Sequence, residues 1–408
     1  MCSPFLQVWW YKILKIQNDM KISQQDIDIC CGPEPLVAHT DSQPVSQPIH
    51  QTSLFSYSSF ENLCTALANE YSMPVYTRGR NPSVTSVEKK LAALERGEAC
   101  KLFASGMGAI SAAITGLVNQ GEHIIFINQV YSPTIQLAEQ LSRFGVTFTY
   151  LTSGDPEQLE AAIRPQTRLI WFESPATMTF KRIDISKVVA IAHRHGILTG
   201  IDNTWATPLL QKPITLGVDI VAHSLTKYIG GHSDVVAGAL ISRHAVLKQI
   251  FYRTFLLNGA ALGPMDAWLI ERGLRTLSVR LQQQEASALA IGRFLEGHPK
   301  VSRIYHPAWQ EDAPPAETNP LAGYNGLISF SLKPADFASV TRFLNALKQF
   351  RLGVSWGGFE SLAISLQRPE NAEQLAAMNL PQGLIRLSVG LEAVQTLIND
   401  LEQAFTHV

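Results

Sequence analysis

A lysine placed directly after an apolar run is the residue of this chain with the clearest chemical potential. In the segment DIVAHSLTKYIGGHSDVVAGAL, residues 219–240, a stretch that reads as a buried strand delivers Ser224, Thr226 and Lys227 into a glycine-bearing loop. A lysine amine can form a Schiff base with an aldehyde and later move protons, provided burial or neighbouring cations lower its pKa. The hydroxyls of Ser224 and Thr226 are placed to bind a phosphate beside it. Alone, Lys227 would read as an ordinary surface lysine at a strand end. It has company, because the apolar run before Asp202-Asn203-Thr204 puts a carboxylate at what should be the C-terminal edge of the same sheet, where ligands of open α/β sheets bind. As an isolated residue Asp202 would serve equally as a helix N-cap. Together with Lys227 it suits a pyridoxal phosphate ring, whose nitrogen needs an acidic partner to stay protonated and act as an electron sink. A third piece is Ser105-Gly106-Met107-Gly108, a small-residue turn between a strand and a helix, where free N–H groups and the helix dipole suit one phosphate. The three spaced glycines and following acid of a dinucleotide site are not met.

These residues need a frame, and the sequence supplies one. Strands are expected at Lys101–Ala104, His123–Asn128, Val146–Leu151, Arg168–Glu173, Ile197–Asp202, Asp219–His223 and Val235–Ile241, mostly continuous apolar runs as in strands buried on both faces. Between them Gly108–Asn119, Ser132–Phe144, Pro156–Ile163 and Ile185–His195 carry apolar residues at helical spacing. The alternation predicts an α/β fold, a large mixed and mostly parallel sheet with helices on both faces. Beyond it the spacing predicts one long helix over Met265–Leu295. A smaller C-terminal α+β domain follows, with strands at Val301–Tyr305, Gly326–Leu332 and Leu384–Val389 and helices at Ala335–Gln349 and Leu391–Phe405. Pro307–Pro320 holds four prolines and reads as a surface loop. The expected division is an N-terminal extension and arm over 1–75, a cofactor-binding α/β domain over 76–298 and the α+β domain over 299–408.

Composition excludes several other functions. The 408 residues are 46% hydrophobic and 16% charged, with 33 Lys and Arg against 34 Asp and Glu, and no basic run offers a footprint for nucleic acid or an anionic membrane surface. No run reaches the 18 apolar residues of a membrane helix. Five cysteines, odd in number and without ligand spacing, fit reduced thiols and a cytoplasmic address. The apolar patch from Phe5 to Leu14 is interrupted by Lys12 and lacks a basic flank and a cleavage site, so it does not read as a signal peptide. The leader is expected to be disordered, or to follow from a start chosen upstream of Met20. His193 and His195, two apart on an expected helix, point away from one another, and no metal site is expected.

From about Pro48 to the C-terminus the chain resembles the pyridoxal-phosphate enzymes of cysteine and methionine metabolism. The likeness rests, in order, on Tyr76-Thr-Arg78-Gly-Arg-Asn81-Pro82, Ser105-Gly106-Met107, Glu173-Ser-Pro175, Asp202-Asn-Thr204, Ser224-Leu-Thr226-Lys227-Tyr228, Gly231-His-Ser-Asp234 and Arg386-Leu-Ser-Val-Gly390. The resemblance implies the aspartate-aminotransferase type of fold (fold type I), with Lys227 carrying the cofactor through a Schiff base and then shuttling protons. It implies that Asp202 pairs with the ring nitrogen, with Thr204 also in the cofactor site, and that Gly106, Met107, Ser224 and Thr226 hold the phosphate. Tyr76 and Arg78 would reach the phosphate of the neighbouring subunit's cofactor, making a homodimer obligatory, and the family usually pairs dimers into tetramers. Tyr131 matches a tyrosine that stacks on the ring and assists proton transfer, and Arg386 an arginine that clamps the substrate α-carboxylate.

Within the family, Asp202-Asn-Thr-Trp205-Ala206, Ser355-Trp356-Gly-Gly-Phe359-Glu360-Ser361 and Tyr131-Ser-Pro133 are similar to bacterial cystathionine β-lyases, with Ser355 and Trp356 in the substrate pocket. That branch cleaves L-cystathionine to homocysteine, pyruvate and ammonia. The stretch Tyr76–Leu94 reads as much like the γ-synthase branch. The alternatives are therefore a γ-acting member, either cystathionine γ-synthase or γ-lyase, or a broader cysteine-S-conjugate β-lyase.

Overall fold

The computed structural model describes residues 22–32 and 44–408. The patch around Phe5–Leu14 and the start at Met20 lie outside the described residues. Seven strands form the larger sheet: β1 (Ala99–Phe103), β2 (His123–Ile127), β3 (Thr147–Leu151), β4 (Thr167–Glu173), β5 (Leu198–Asp202), β6 (Ile220–Ser224) and β7 (Gly238–Ser242). Their order is β1-β7-β6-β5-β4-β2-β3. The pairs from β3 through β6 are parallel, and β7 runs antiparallel to both β6 and β1. Because successive side chains of a strand point to opposite faces, these apolar runs feed two cores. Ile125, Ile127, Ile170 and Phe172 pack on one face, and Ile124, Phe126, Leu169 and Trp171 on the other.

Five strands form the second sheet, in the order β10-β11-β12-β9-β8: β8 (Val301–Tyr305), β9 (Leu327–Leu332), β10 (Arg351–Leu352), β11 (Leu362–Ile364) and β12 (Leu384–Ser388). It packs against the helices Leu277–Leu295 and Val394–Phe405 through Phe330, Ile385, Leu387, Ile291 and Leu401.

Several expectations need correction. The long helix expected over Met265–Leu295 is two helices, Pro264–Leu274 and Leu277–Leu295. The buried Arg280 guanidinium donates to the carbonyl of Gly273 at 2.8 Å and to that of Tyr228 at 2.7 Å, and the Gly273 carbonyl accepts the Thr276 N–H at 3.2 Å in a tighter turn where the first helix ends. At Gly273 a Cβ would lie 2.4 Å from the carbonyl oxygens of Ile229 and Gly230, so only glycine permits this approach. The segment Pro307–Pro320 is not wholly a surface loop. It contains a 3-10 turn at Pro307–Trp309, and Asn319 is fully buried, donating to Ser174 Oγ and the Ile183 carbonyl and accepting from Gln211. Strand β7 begins at Gly238 rather than Val235, because Ala237 is tied to Thr226 instead of to a neighbouring strand. The short strands β10 and β11 and the helix Gln24–Cys31 have no counterpart among the expected elements. That helix is anchored by the buried Asp26, which pairs with Arg96 at 2.8 Å and Lys212 at 3.0 Å.

Candidate active site

The parallel register places the C-terminal ends of β4, β5 and β6 side by side. Glu173 lies opposite Asp202, Asp202 opposite Ala222, and β6 ends two residues later at Ser224. The turn after β1 reaches the same edge. At Gly106 a Cβ would sit 2.8 Å from Ser224 Cβ and 3.0 Å from Ser224 Oγ, so glycine lets the start of the helix Gly106–Leu117 close onto the end of β6. Ser105 caps that helix by accepting the Gly108 N–H at 2.9 Å. The N–H groups of Gly106 and Met107 head the helix beside the Ser224 hydroxyl, an arrangement suited to an anion.

Lys227 follows in the loop after β6. Its amine donates to Ser355 Oγ at 2.8 Å and lies 5.6 Å from the centre of the Trp356 ring. Burial pulls its pKa down to about 8, the Arg386 guanidinium adds to the effect and the Asp202 carboxylate opposes it. A buried lysine of this kind has a substantial free-amine fraction near neutral pH, the state a nucleophile and proton acceptor needs. Ser355 and Trp356 come from the loop between β10 and β11, so those two short strands are what brings the smaller sheet's residues to the lysine.

Asp202 accepts the Thr204 N–H at 3.0 Å and also the Thr204 hydroxyl. The same hydroxyl oxygen accepts the Ser224 N–H at 2.7 Å, joining β5 to β6. Desolvation holds the Asp202 carboxyl above the ordinary carboxylate range, with the Thr204 bonds, His223 and Lys227 pulling the other way. Beneath it His223 and Glu95, both fully buried, meet at 2.6 Å, and Asn203 donates to the same Glu95 oxygen at 3.0 Å. On the other side Glu173 is pushed up to about 8 by burial and by the charge of Asp202.

Arg386 sits in the middle of β12, paired with Ile364 and Ser329 and 5% exposed. Its guanidinium donates to the Val354 carbonyl at 3.1 Å and touches Met178 Sδ at 3.7 Å, and it faces no carboxylate among the described residues. Burial draws its pKa down to about 10. A desolvated guanidinium with unspent N–H donors is chemically suited to pair with a carboxylate.

Of the residues singled out from sequence, Lys227, Asp202, Thr204, Ser224, Gly106, Ser355, Trp356 and Arg386 belong to this one group. Met107 lies at the helix start, its sulfur 3.9 Å from the Thr134 hydroxyl. Thr226 exchanges hydrogen bonds with the Ala237 main chain, at 3.2 and 3.0 Å, and so fastens the lysine loop. Tyr131 exposes its ring while its N–H is held by Glu173. Tyr76 and Arg78 lean on each other at 5.5 Å, and no hydrogen bond among the described residues joins them to the Lys227 group. Trp205 is a core residue packed near Phe180, with its carbonyl held by Asn325 at 2.6 Å. Sequence reasoning gave no individual role to Glu173, Met178 or the Glu95–His223 pair. For Glu173 the signal was present, since it ends an apolar strand in the same way that Asp202 does.

The donor set fits pyridoxal phosphate: a lysine of lowered pKa, a carboxylate at the end of the adjoining strand, and a helix start with a hydroxyl beside it for the phosphate. The profile of the family described as Cys/Met metabolism PLP-dependent enzyme matches residues 36–406. An L-methionine γ-lyase of Pseudomonas deceptionensis is 40% identical over 370 residues, 88% of this chain and 91% of that one. A cystathionine β-lyase of Lactococcus lactis subsp. cremoris is 38% identical, covering 88% of this chain and 93% of that one. Among solved structures, a putative O-acetylhomoserine (thiol)-lyase of Campylobacter jejuni, which carries a pyridoxyl-lysine monophosphate, superposes with a TM-score of 0.85 at 27% identity. The match covers 93% of this chain and 99% of that one.

Proposed function

Since the chain belongs to the Cys/Met metabolism PLP-dependent enzymes and is a carbon–sulfur lyase using pyridoxal phosphate, we propose that it eliminates sulfur from Cβ, with L-cystathionine as substrate. The observation that carries this reading is the contact of Lys227 with Ser355 beneath Trp356, which sets the β-lyase-like loop directly against the reacting amine.

Bound pyridoxal phosphate supplies an electron sink for a carbanion at the substrate Cα. Lys227 would hold it, Asp202 would face its ring nitrogen, and Gly106, Met107 and Ser224 would receive its phosphate, with Thr226 and Thr204 fixing the loop and strand ends. Arg386 binds the α-carboxylate of the substrate and Ser355 supports it. The Lys227 amine takes the Cα proton. When the Cβ–S bond breaks, sulfur leaves with the bonding electron pair and is protonated by Lys227 or Tyr131. The remaining three-carbon enamine takes up water to yield pyruvate and ammonia, and the thiol product from cystathionine is homocysteine. Tyr76 and Arg78, exposed in the single chain, would serve the cofactor phosphate of a second subunit in a homodimer.

A second reading, γ-elimination, is favoured by the similarity to the L-methionine γ-lyase. The test is a product assay of the yellow protein with L-cystathionine and, separately, L-methionine. Pyruvate and homocysteine from cystathionine are expected. 2-Oxobutyrate as the keto acid from either substrate would move the enzyme to γ-elimination.

A further inference from the structure

We propose that Glu173 is a positioning residue that sets Tyr131 on one side and the Arg386 guanidinium on the other. This rests on the reading in which Tyr131 faces the cofactor ring and Arg386 clamps the substrate. The Glu173 side chain is 4% exposed and its two oxygens are used in two directions. Oε1 accepts the main-chain N–H of Tyr131 at 2.6 Å. Tyr131 stands immediately before the helix Ser132–Ser142 and has no side-chain cap of its own. The carboxyl therefore satisfies the main-chain N–H that leads into that helix and fixes the backbone from which the Tyr131 ring projects. Oε2 accepts the Thr177 hydroxyl at 2.7 Å. The next residue, Met178, is buried and its sulfur meets Arg386 Nη1 at 3.7 Å, so the loop tied down by Glu173 forms one wall of the guanidinium. Glu173 also sits beside Asp202 in the β4–β5 register, on the sheet edge to which the site is attached. One side chain on a rigid strand thus connects three separate parts of the site.

The geometry separates position from charge. Glutamine at 173 keeps an amide oxygen for the Tyr131 N–H and an amide nitrogen for the Thr177 hydroxyl, whereas alanine leaves both without a partner. The experiment compares the wild-type holoenzyme with Glu173→Gln, Glu173→Ala and Thr177→Val. It measures kcat and KM for elimination, cofactor content, and the visible circular dichroism band of the bound cofactor, which reports how the ring sits. Glu173→Gln is expected to keep the band, with kcat/KM within roughly fivefold of wild type. Glu173→Ala should retain lysine-bound cofactor, weaken the band and lower kcat/KM roughly 100-fold, the scale of a misplacement of about 1 Å. Thr177→Val, which loses only the Arg386 arm, should raise KM roughly tenfold with kcat little changed.

The proposal is overturned if Glu173→Ala keeps both the band and the activity, or if Glu173→Gln is as damaged as Glu173→Ala. An unchanged KM in Thr177→Val overturns the link to Arg386. If Glu173→Ala does not fold, loss of the band in Glu173→Gln or an unchanged KM in Thr177→Val overturns the proposal. Failure of the functional reading itself is distinguishable, because the wild-type enzyme would then show no elimination or no lysine-bound cofactor.

Discussion

Replacing Arg386 by Met should raise the pKa of Lys227, and the size of the effect on reactivity can be worked out. In the wild type the amine is brought from an ordinary 10.5 to about 8, mainly by burial and next by the guanidinium. At pH 7 an ordinary lysine is free in only about 0.03% of molecules, whereas one at about 8 is free in roughly 10%, a gain of roughly 300-fold. The difference corresponds to about 3 kcal/mol between the two protonation states. Methionine fills much of the arginine volume without the charge, so burial of Lys227 persists while the like-charge repulsion is lost. The assay is the rate at which protein stripped of its cofactor regains its visible absorbance with pyridoxal phosphate, followed from pH 6 to pH 11. The wild-type profile should have its midpoint near 8. In Arg386→Met the midpoint should move upward but stay below 10.5, each pH unit of movement lowering the rate at pH 7 about tenfold. A wild-type midpoint near 10.5, or a downward movement in the variant, would refute the claim that desolvation and Arg386 together activate this amine.

Two further perturbations have definite outcomes. Gly106→Ala places a Cβ 2.8 Å from Ser224 Cβ. It should force the helix start away from β6 and weaken cofactor binding by roughly tenfold or more in equilibrium dialysis, and unchanged affinity would mean that the phosphate lies elsewhere. Arg280→Met strands the buried carbonyl of Tyr228 and removes the charged donor to that of Gly273. Urea unfolding should show a loss of about 2–4 kcal/mol, and a loss below about 1 kcal/mol would mean that Arg280 does not hold the break between its two helices.

The parts of the molecule legible in sequence are those whose signal is local. Continuous apolar runs identified β2 to β6, and the polar residues at their ends, Asp202, Ser224 and Lys227, fell on one edge because parallel strands share a direction. The helix break at Arg275–Thr276 was not legible, since the Arg280 guanidinium beside it is fixed by carbonyls about fifty residues away as well as by that of Gly273. Asn319 was lost among prolines for the same reason, its partners lying near residues 174, 183 and 211. Strands β10 and β11, two and three residues long, carry too little pattern to show a period, yet they bracket the loop that delivers Ser355 and Trp356.

We propose that one lysine, Lys227, both carries the cofactor and performs the proton transfers. The most direct test is borohydride reduction of the yellow holoenzyme followed by peptide mapping, with Lys227→Ala treated in parallel. A single pyridoxyl-modified peptide bearing Lys227 is expected in the wild type, and neither that peptide nor elimination activity in the variant. Modification of a different lysine, or steady-state turnover retained in Lys227→Ala, would contradict it.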